Sequence, residues 1–257
     1  MRLRTFAMAA ALCLALPLVG QNPPKPKSQK ESDALQKVLQ AQQAQNWDGE
    51  IQAINYVLEN FADTEYKTLL LSMAVDAAQA KGDFAQTVAF GEQAIQADPN
   101  NITARVTLAE TIAMHTREND LDKEQSLKKV DDYANKALEL LKNATSTPPP
   151  GMNPAVWPDT QKLLTSQSYD ALGQAAGLRK NYPTELTNFK SATDADATNS
   201  VAFARLAKAY NDNKQYDDAI ATADKVQAMA NVPASVKTFA QQQKDLANKL
   251  KSTPGPK

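Results

Sequence analysis

Apolar residues along this chain recur at helical spacing. One set lies on a single helical face within residues 51–58, and another lies near the carboxyl end within residues 236–250. Ala, Gln, Leu, Lys and Glu are frequent around them, whereas alternating runs of β-branched residues are absent from the sequence. The pattern therefore predicts an all-α protein. The two apolar sets are Ile51, Ile54, Val57 and Leu58, and Val236, Phe239, Leu246 and Leu250.

The 14 prolines divide the chain into segments. None lies between Lys27 and Asp98, whereas clusters occur at 23–26, 148–158 and 254–256. Proline interrupts a helix interior because it lacks the backbone N–H and its ring clashes with the preceding turn. We therefore predict a Pro/Lys-rich linker at 21–30, a Pro-rich linker at 143–158 and a disordered tail at 252–257. The stretch 25–32 is expected to be extended and solvated.

A 34-residue period appears in the helical regions. The best unit, residues 200–233, has Phe203, Leu206, Ala207 and Tyr210 on its first helix and Tyr216 at its turn. It directly follows a second unit at 166–199, and a third occupies 68–101 with a Gly82-Asp83-Phe84 turn. Weaker units start at Glu31 and at Ile102, and the latter needs about nine extra residues around 117–124.

These units resemble tetratricopeptide repeats, which are helix-turn-helix modules. The resemblance implies an α-solenoid of about five such repeats, in which each helix pair covers the apolar face of its neighbour. Repeats 1–3 are expected at 31–142 and repeats 4–5 at 159–233. The amphipathic segment 234–251 is then the C-terminal capping helix. Position 20 of the repeat is normally small, but it holds Glu50, Thr87 and Glu185 here, so we expect these helix pairs to pack less closely.

The N-terminus has the features of an export signal. Arg2 and Arg4 precede an apolar run from Thr5 to Val19, which is short for a membrane span. We predict a signal peptide at 1–20 and an exported protein, periplasmic or secreted. An uncleaved anchor is the first alternative, and lipidation at Cys13 is the second.

Composition argues against most enzyme chemistry. The net charge of −1 disfavours nucleic acid as a partner. One cysteine and one histidine, His115, exclude thiolate zinc sites and leave no histidine cluster. The segment 194–199 resembles a calcium loop, but Asn199 replaces the required glycine, so an inter-repeat turn is expected. We predict no catalytic, cofactor or metal site and no evident small-molecule substrate.

The two tryptophans are open to two interpretations. Trp47 occupies the large turn position of the first unit, where packing is expected. Trp157 lies between Pro154 and Pro158 and is interpreted as a core residue, with an exposed binding hot spot as the alternative.

The resemblance implies a non-enzymatic protein-protein interaction scaffold, here of the bacterial cell envelope. A peptide or helical segment of a partner protein would bind the concave face. The alternative is a structural adaptor tethered to membrane or cell wall through the N-terminal Pro/Lys-rich arm. Membrane contact is expected only if the N-terminal segment stays uncleaved, and an enzyme is the third hypothesis.

In tetratricopeptide domains that resemble chaperone adaptors, basic and amide residues on the first helix of each repeat clamp a C-terminal carboxylate. The matching positions here are mostly neutral or acidic, so an acidic peptide should be repelled and a neutral or mildly basic segment with apolar anchors accepted. Binding at the convex face or near Asp120 is the alternative. The predicted groove residues are Ser72, Asp76, Val106, Glu110, Asp170, Gln174, Arg205 and Lys208.

Overall fold

The computed structural model describes residues 24–144 and 153–252. Eleven α-helices and no strand occur in these residues. The helices are α1 Gln29–Gln43, α2 Trp47–Asn60, α3 Lys67–Lys81, α4 Phe84–Ala97, α5 Ile102–His115, α6 Lys123–Asn143, α7 Trp157–Leu178, α8 Tyr182–Ala195, α9 Ser200–Asp212, α10 Tyr216–Ala228 and α11 Ala234–Ser252. The predicted signal peptide at 1–20 lies outside the described residues.

Consecutive helices pack as pairs, and each pair packs on the next. α1 pairs with α2, α3 with α4, α5 with α6, α7 with α8 and α9 with α10, while α11 covers both α9 and α10. The predicted all-α solenoid of about five repeats with a C-terminal capping helix is confirmed. Each repeat contributes a first helix (α1, α3, α5, α7, α9) and a second helix (α2, α4, α6, α8, α10).

The turn between the paired helices has the same backbone conformation in four repeats. Gln45, Gly82, Lys180 and Lys214 all have a positive φ between 52° and 72° and all occupy position 15 of their repeats. This left-handed conformation is easy only for glycine. In three of these turns the following residue, Asn46, Asp83 or Asn181, caps the next helix with its side-chain oxygen. The shared geometry fixes the register of repeats 1, 2, 4 and 5.

Small residues allow close helix crossings. A Cβ atom on Gly173 of α7 would lie 2.8 Å from the Phe189 ring of α8, so this position requires glycine. Ala219 of α10 is completely buried. Looser packing at position 20 stays a prediction; the three residues at this position, Glu50, Thr87 and Glu185, are all buried. At Glu185 the space is provided by Gly177, where an added Cβ would lie 2.6 Å from the carboxylate.

The middle of the chain differs from the sequence prediction. The nine-residue insertion forms only a short loop at 116–122, and the rest lengthens the start of α6. α7 is one continuous helix of 22 residues whose first half packs across α5. Trp157 is 1% exposed and belongs to one cluster with Val106 and Leu164, so it is a core residue. Trp47 is half-buried and packs against the core of the first repeats.

The predicted solvated linker at 25–32 is wrong in its second half. α1 begins at Gln29 with Ser28 as its cap, and Glu31 is 2% exposed. The Glu31 carboxylate accepts hydrogen bonds from Lys27 N at 2.6 Å and from Thr64 Oγ1 at 2.7 Å. Tyr66 also donates its hydroxyl to the Pro24 carbonyl at 2.6 Å. Residues 24–28 are therefore fastened to the loop 61–66.

The two features that resembled chemical sites have structural explanations. Exposed His115 stacks on Phe84 with ring centroids 4.3 Å apart. The calcium-like segment is an inter-repeat turn in which Asn199 caps α9. Within the residues that the structure describes, no group of three or more His, Cys, Asp or Glu side chains is placed to hold a metal ion. No helix among them is sufficiently long and apolar to cross a membrane.

Candidate partner-binding surface

The first helices of the repeats form a continuous surface that we call the inner face. α3 contacts α5, α5 contacts α7, and α7 contacts α9, so these four helices lie side by side. All eight predicted groove residues lie on them. A partner segment lying along this face would contact several repeats at once.

Six of the eight predicted residues reach solvent. Asp76 is exposed, and Ser72, Glu110, Gln174, Arg205 and Lys208 are half-buried.

Val106 and Asp170 are buried, at 1% and 2% exposure. Val106 is enclosed by apolar side chains and Asp170 is already paired with Arg205, so neither has a group free to bind a partner. Val106 packs in the cluster that contains Trp157 and Leu164 because the first half of α7 covers α5.

Asp170 forms the centre of a charged cluster between α5, α7 and α9. Its Oδ2 accepts a hydrogen bond from Gln174 Nε2 at 3.0 Å and pairs with Arg205 Nη1, while its Oδ1 has no hydrogen-bond partner among the described residues. Burial raises the pKa of the Asp170 carboxyl, and the charge of Arg205 and the hydrogen bond from Gln174 oppose this shift. The guanidinium of Arg205 is thus engaged within the protein.

Glu110 lies beside this cluster on α5. Desolvation raises the pKa of its carboxyl to about 8; the charge of Asp170 raises it further and that of Arg205 lowers it. The side chain is half-buried, so it keeps contact with solvent even though surrounding protein displaces most of the nearby water. It is therefore an accessible acidic group with a reduced tendency to ionise.

The second cation of the inner face is also engaged. Lys208 Nζ donates to Glu185 Oε1 at 3.1 Å and also pairs with Asp212. The two positive side chains predicted for the fifth repeat are therefore both bound to carboxylates of this chain. A carboxylate clamp needs several free donors that converge, and these two residues do not provide them.

Two acidic residues near the N-terminal end of the solenoid, Asp76 on the inner face and Glu50 on α2, form no ion pair with any other described residue. Asp76 of α3 is exposed at its edge, and desolvation by the surrounding protein raises its pKa to about 6. Glu50 of α2 is buried, and desolvation raises the pKa of its carboxyl to about 7. The negative charge of Asp76 is the second, smaller cause of this shift. The sequence predicts only looser packing at Glu50. A charged residue at a position normally held by a small one was the signal that could have marked Glu50 as a candidate site residue.

Ser72 has a structural role on this surface. Its hydroxyl donates to the Thr68 carbonyl at 3.1 Å and accepts from Asn101 Nδ2 at 3.3 Å. Asn101 caps α5, so the contact links the first helices of two adjacent repeats. The same link recurs between Asn199 and Ser166 at 2.9 Å.

Comparison of the whole chain with solved structures identifies the architecture. A tetratricopeptide-repeat protein from Thermus thermophilus superposes with a TM-score of 0.57 and 13% identity, covering 83% of this chain and 98% of that one. PilW, a widely conserved type IV pilus biogenesis factor, gives a TM-score of 0.56 with 14% identity over 86% of this chain and 90% of its own.

The fold is that of a tetratricopeptide-repeat solenoid. Yeast Tom70 superposes with a TM-score of 0.51 and 15% identity, covering 87% of this chain and 43% of Tom70. No protein-family model and no curated protein matches the sequence. Identities this low establish the tetratricopeptide fold and leave the function to be argued from the residues of the inner face.

Proposed function

We propose that this tetratricopeptide solenoid is a non-enzymatic interaction scaffold that binds a protein or peptide segment along its inner face. The observation that carries the proposal is the imbalance of charge on that face. Asp76 and Glu110 reach solvent on the inner face, Asp76 as an ionised acid at neutral pH and Glu110 mostly protonated because its pKa is raised to about 8. Arg205 and Lys208, by contrast, are bound to carboxylates of the chain itself. A neutral or basic partner segment complements this surface, and an acidic one is repelled.

The proposed place of action is the bacterial cell envelope, after export. This part of the proposal rests on the arginine-flanked apolar run of residues 1–20. Binding by many modest contacts on a preformed surface suits a rigid solenoid, because little conformational entropy is lost on association.

Site-specific photo-crosslinking in the producing cell tests the proposal. The photoreactive residue is placed at Asp76, which is exposed on the inner face, and not at buried Asp170. The matched control is Glu59, which is exposed on α2. A discrete crosslinked protein is expected from position 76 and none from position 59. Crosslinks confined to position 59 would place the partner elsewhere and refute the inner-face proposal.

The adaptor alternative is less well supported, because Lys27 and Pro24 are already engaged by the repeat body through Asp63 and Tyr66. Deleting residues 21–30 would also remove Ser28, which caps α1. Deletion of residues 21–23 alone separates a tethering role from a folding role.

A further inference from the structure

A buried glutamate in the first repeat lacks a compensating charge among the described residues. Glu50 of α2 is 1% exposed, and its Oε2 has no hydrogen-bond donor among the described residues. Its carboxyl forms no ion pair with any other described residue. Buried carboxylates are normally paired or hydrogen-bonded because leaving them unmatched is costly. Glu50 therefore stands out among the buried acids: Glu31 accepts two hydrogen bonds, and Asp170 pairs with Arg205.

The fourth and fifth repeats show how the same position is satisfied elsewhere in the protein. Glu185 occupies position 20 of the fourth repeat, as Glu50 does in the first. Glu185 Oε1 accepts from Lys208 Nζ at 3.1 Å, and Lys208 occupies position 9 of the following repeat. The residue at position 9 of the repeat that follows Glu50 is Asp76. Position 9 thus holds a cation, Lys208, near the C-terminal end of the solenoid and an acid, Asp76, near its N-terminal end.

The chain's own basic residues near Glu50 do not fill this place. Lys81, at the end of α3, pairs with Asp48 at 2.6 Å. Lys37 of α1 is exposed and forms no ion pair with a described residue.

We propose that Glu50 and Asp76 together receive a lysine or arginine side chain of the bound partner segment, which takes the place that Lys208 holds beside Glu185. The inference rests on the proposed function and names the chemistry of the partner. Asp76 is exposed and would make the first contact, and Glu50, which occupies the repeat position of Glu185, is buried and would pair with the cation as Glu185 pairs with Lys208. Desolvation and, as the smaller cause, the charge of Asp76 raise the pKa of Glu50, and a cation bound beside the two carboxyls would oppose both effects.

Selection from a random 12-residue peptide library displayed on phage tests this inference with the full chain as bait. Three baits are compared: the wild type, Asp76→Lys and Glu59→Lys. Asp76→Lys supplies the internal cation and recreates the arrangement of Glu185 and Lys208. Glu59→Lys changes the charge equally at an exposed position of α2.

Peptides enriched on the wild type are expected to share one lysine or arginine between apolar residues. Replacing that residue by norleucine should weaken binding at least about tenfold. Asp76→Lys should lose these peptides and melt at a higher temperature, whereas Glu59→Lys should keep them. If Asp76→Lys does not fold, as judged by circular dichroism, Asp76→Asn and Glu50→Gln serve instead, and both should weaken binding of the basic peptide.

The outcomes separate the inference from the proposed function. Enriched peptides without a basic residue that compete for the inner face would overturn the cation site while supporting the scaffold. Basic peptides that bind Asp76→Lys as tightly as the wild type would also overturn it. If no peptide is enriched on any bait, both the cation site and the peptide-binding inner face are refuted.

Discussion

The buried carboxyl of Glu50 should make the stability of the solenoid depend on pH in a defined direction. Its pKa is raised from 4.5 to about 7 in the folded protein, chiefly because burial removes water from it. Between these two values the folded state binds a proton that the unfolded state has released, so the free energy of unfolding falls as the pH rises. Because one pKa unit corresponds to about 1.4 kcal/mol, the loss amounts to roughly 3 kcal/mol above pH 7.

The variant Glu50→Gln has a similar shape and carries no titrating group. We compare the free energy of unfolding of Glu50→Gln with that of the wild type at each pH. The difference is expected to shift in favour of Glu50→Gln by up to roughly 3 kcal/mol between pH 4 and pH 8. The neighbouring Asp76, whose pKa is raised to about 6 by desolvation, adds a slope of its own to both proteins. The part of the slope that comes from its interaction with Glu50 is absent from Glu50→Gln and belongs to the measured difference.

The assay is urea unfolding at several pH values, followed by the fluorescence of Trp47 in the same repeat. The substitution Trp157→Phe in both proteins leaves Trp47 as the only tryptophan. Glu59→Gln, at an exposed position of the same helix, controls for the loss of a carboxyl as such. Stability curves of wild type and Glu50→Gln that stay parallel from pH 4 to pH 8 would refute the assigned shift.

Three further predictions concern packing, the turns and export. Ala219→Glu introduces a charge at a completely buried position, so circular dichroism melts should show a large loss of thermal stability, and an unchanged melt would contradict the packing of α9 on α10. Lys214→Gly relieves a left-handed residue with φ 60° and should stabilise by about 0.5–1 kcal/mol in urea unfolding, whereas Gly82→Ala should destabilise by about 1 kcal/mol. N-terminal sequencing of the protein from an extracytoplasmic fraction should begin near Gln21, and recovery of the full-length chain from the cytosol would count against export.

The repeat register was predictable because the signals are local and recur. The turn signals at Gly82 and Tyr216, with large and small residues at fixed distances from them, identify two helix pairs before any packing is considered.

Two local signals have a different meaning in the structure. The proline pattern places Pro158 in the linker, but this residue lies in the first turn of α7, where its missing N–H costs nothing. Ser28 and Glu31 form a Ser-x-x-Glu capping signature, which identifies the start of α1 within the supposed linker.

Which residues of the inner face are exposed and unpaired depends on contacts between repeats, and the repeat pattern in the sequence does not specify these contacts. Asp170 is buried because α7 packs against both α5 and α9. The engagement of Arg205 depends on the same packing. Glu50 and Asp76, by contrast, follow from their repeat positions once Glu185 and Lys208 are known to pair.

The long α7 changes what joins the two halves of the molecule. Trp157 and Leu164 of α7 pack into one cluster with Ile102 and Val106 of α5. Arg179 adds ion pairs to Glu124 at 2.7 Å and to Asp131 at 2.9 Å. The third and fourth repeats therefore share an apolar core, so the loss of one half would expose apolar surface of the other and the two halves should unfold together.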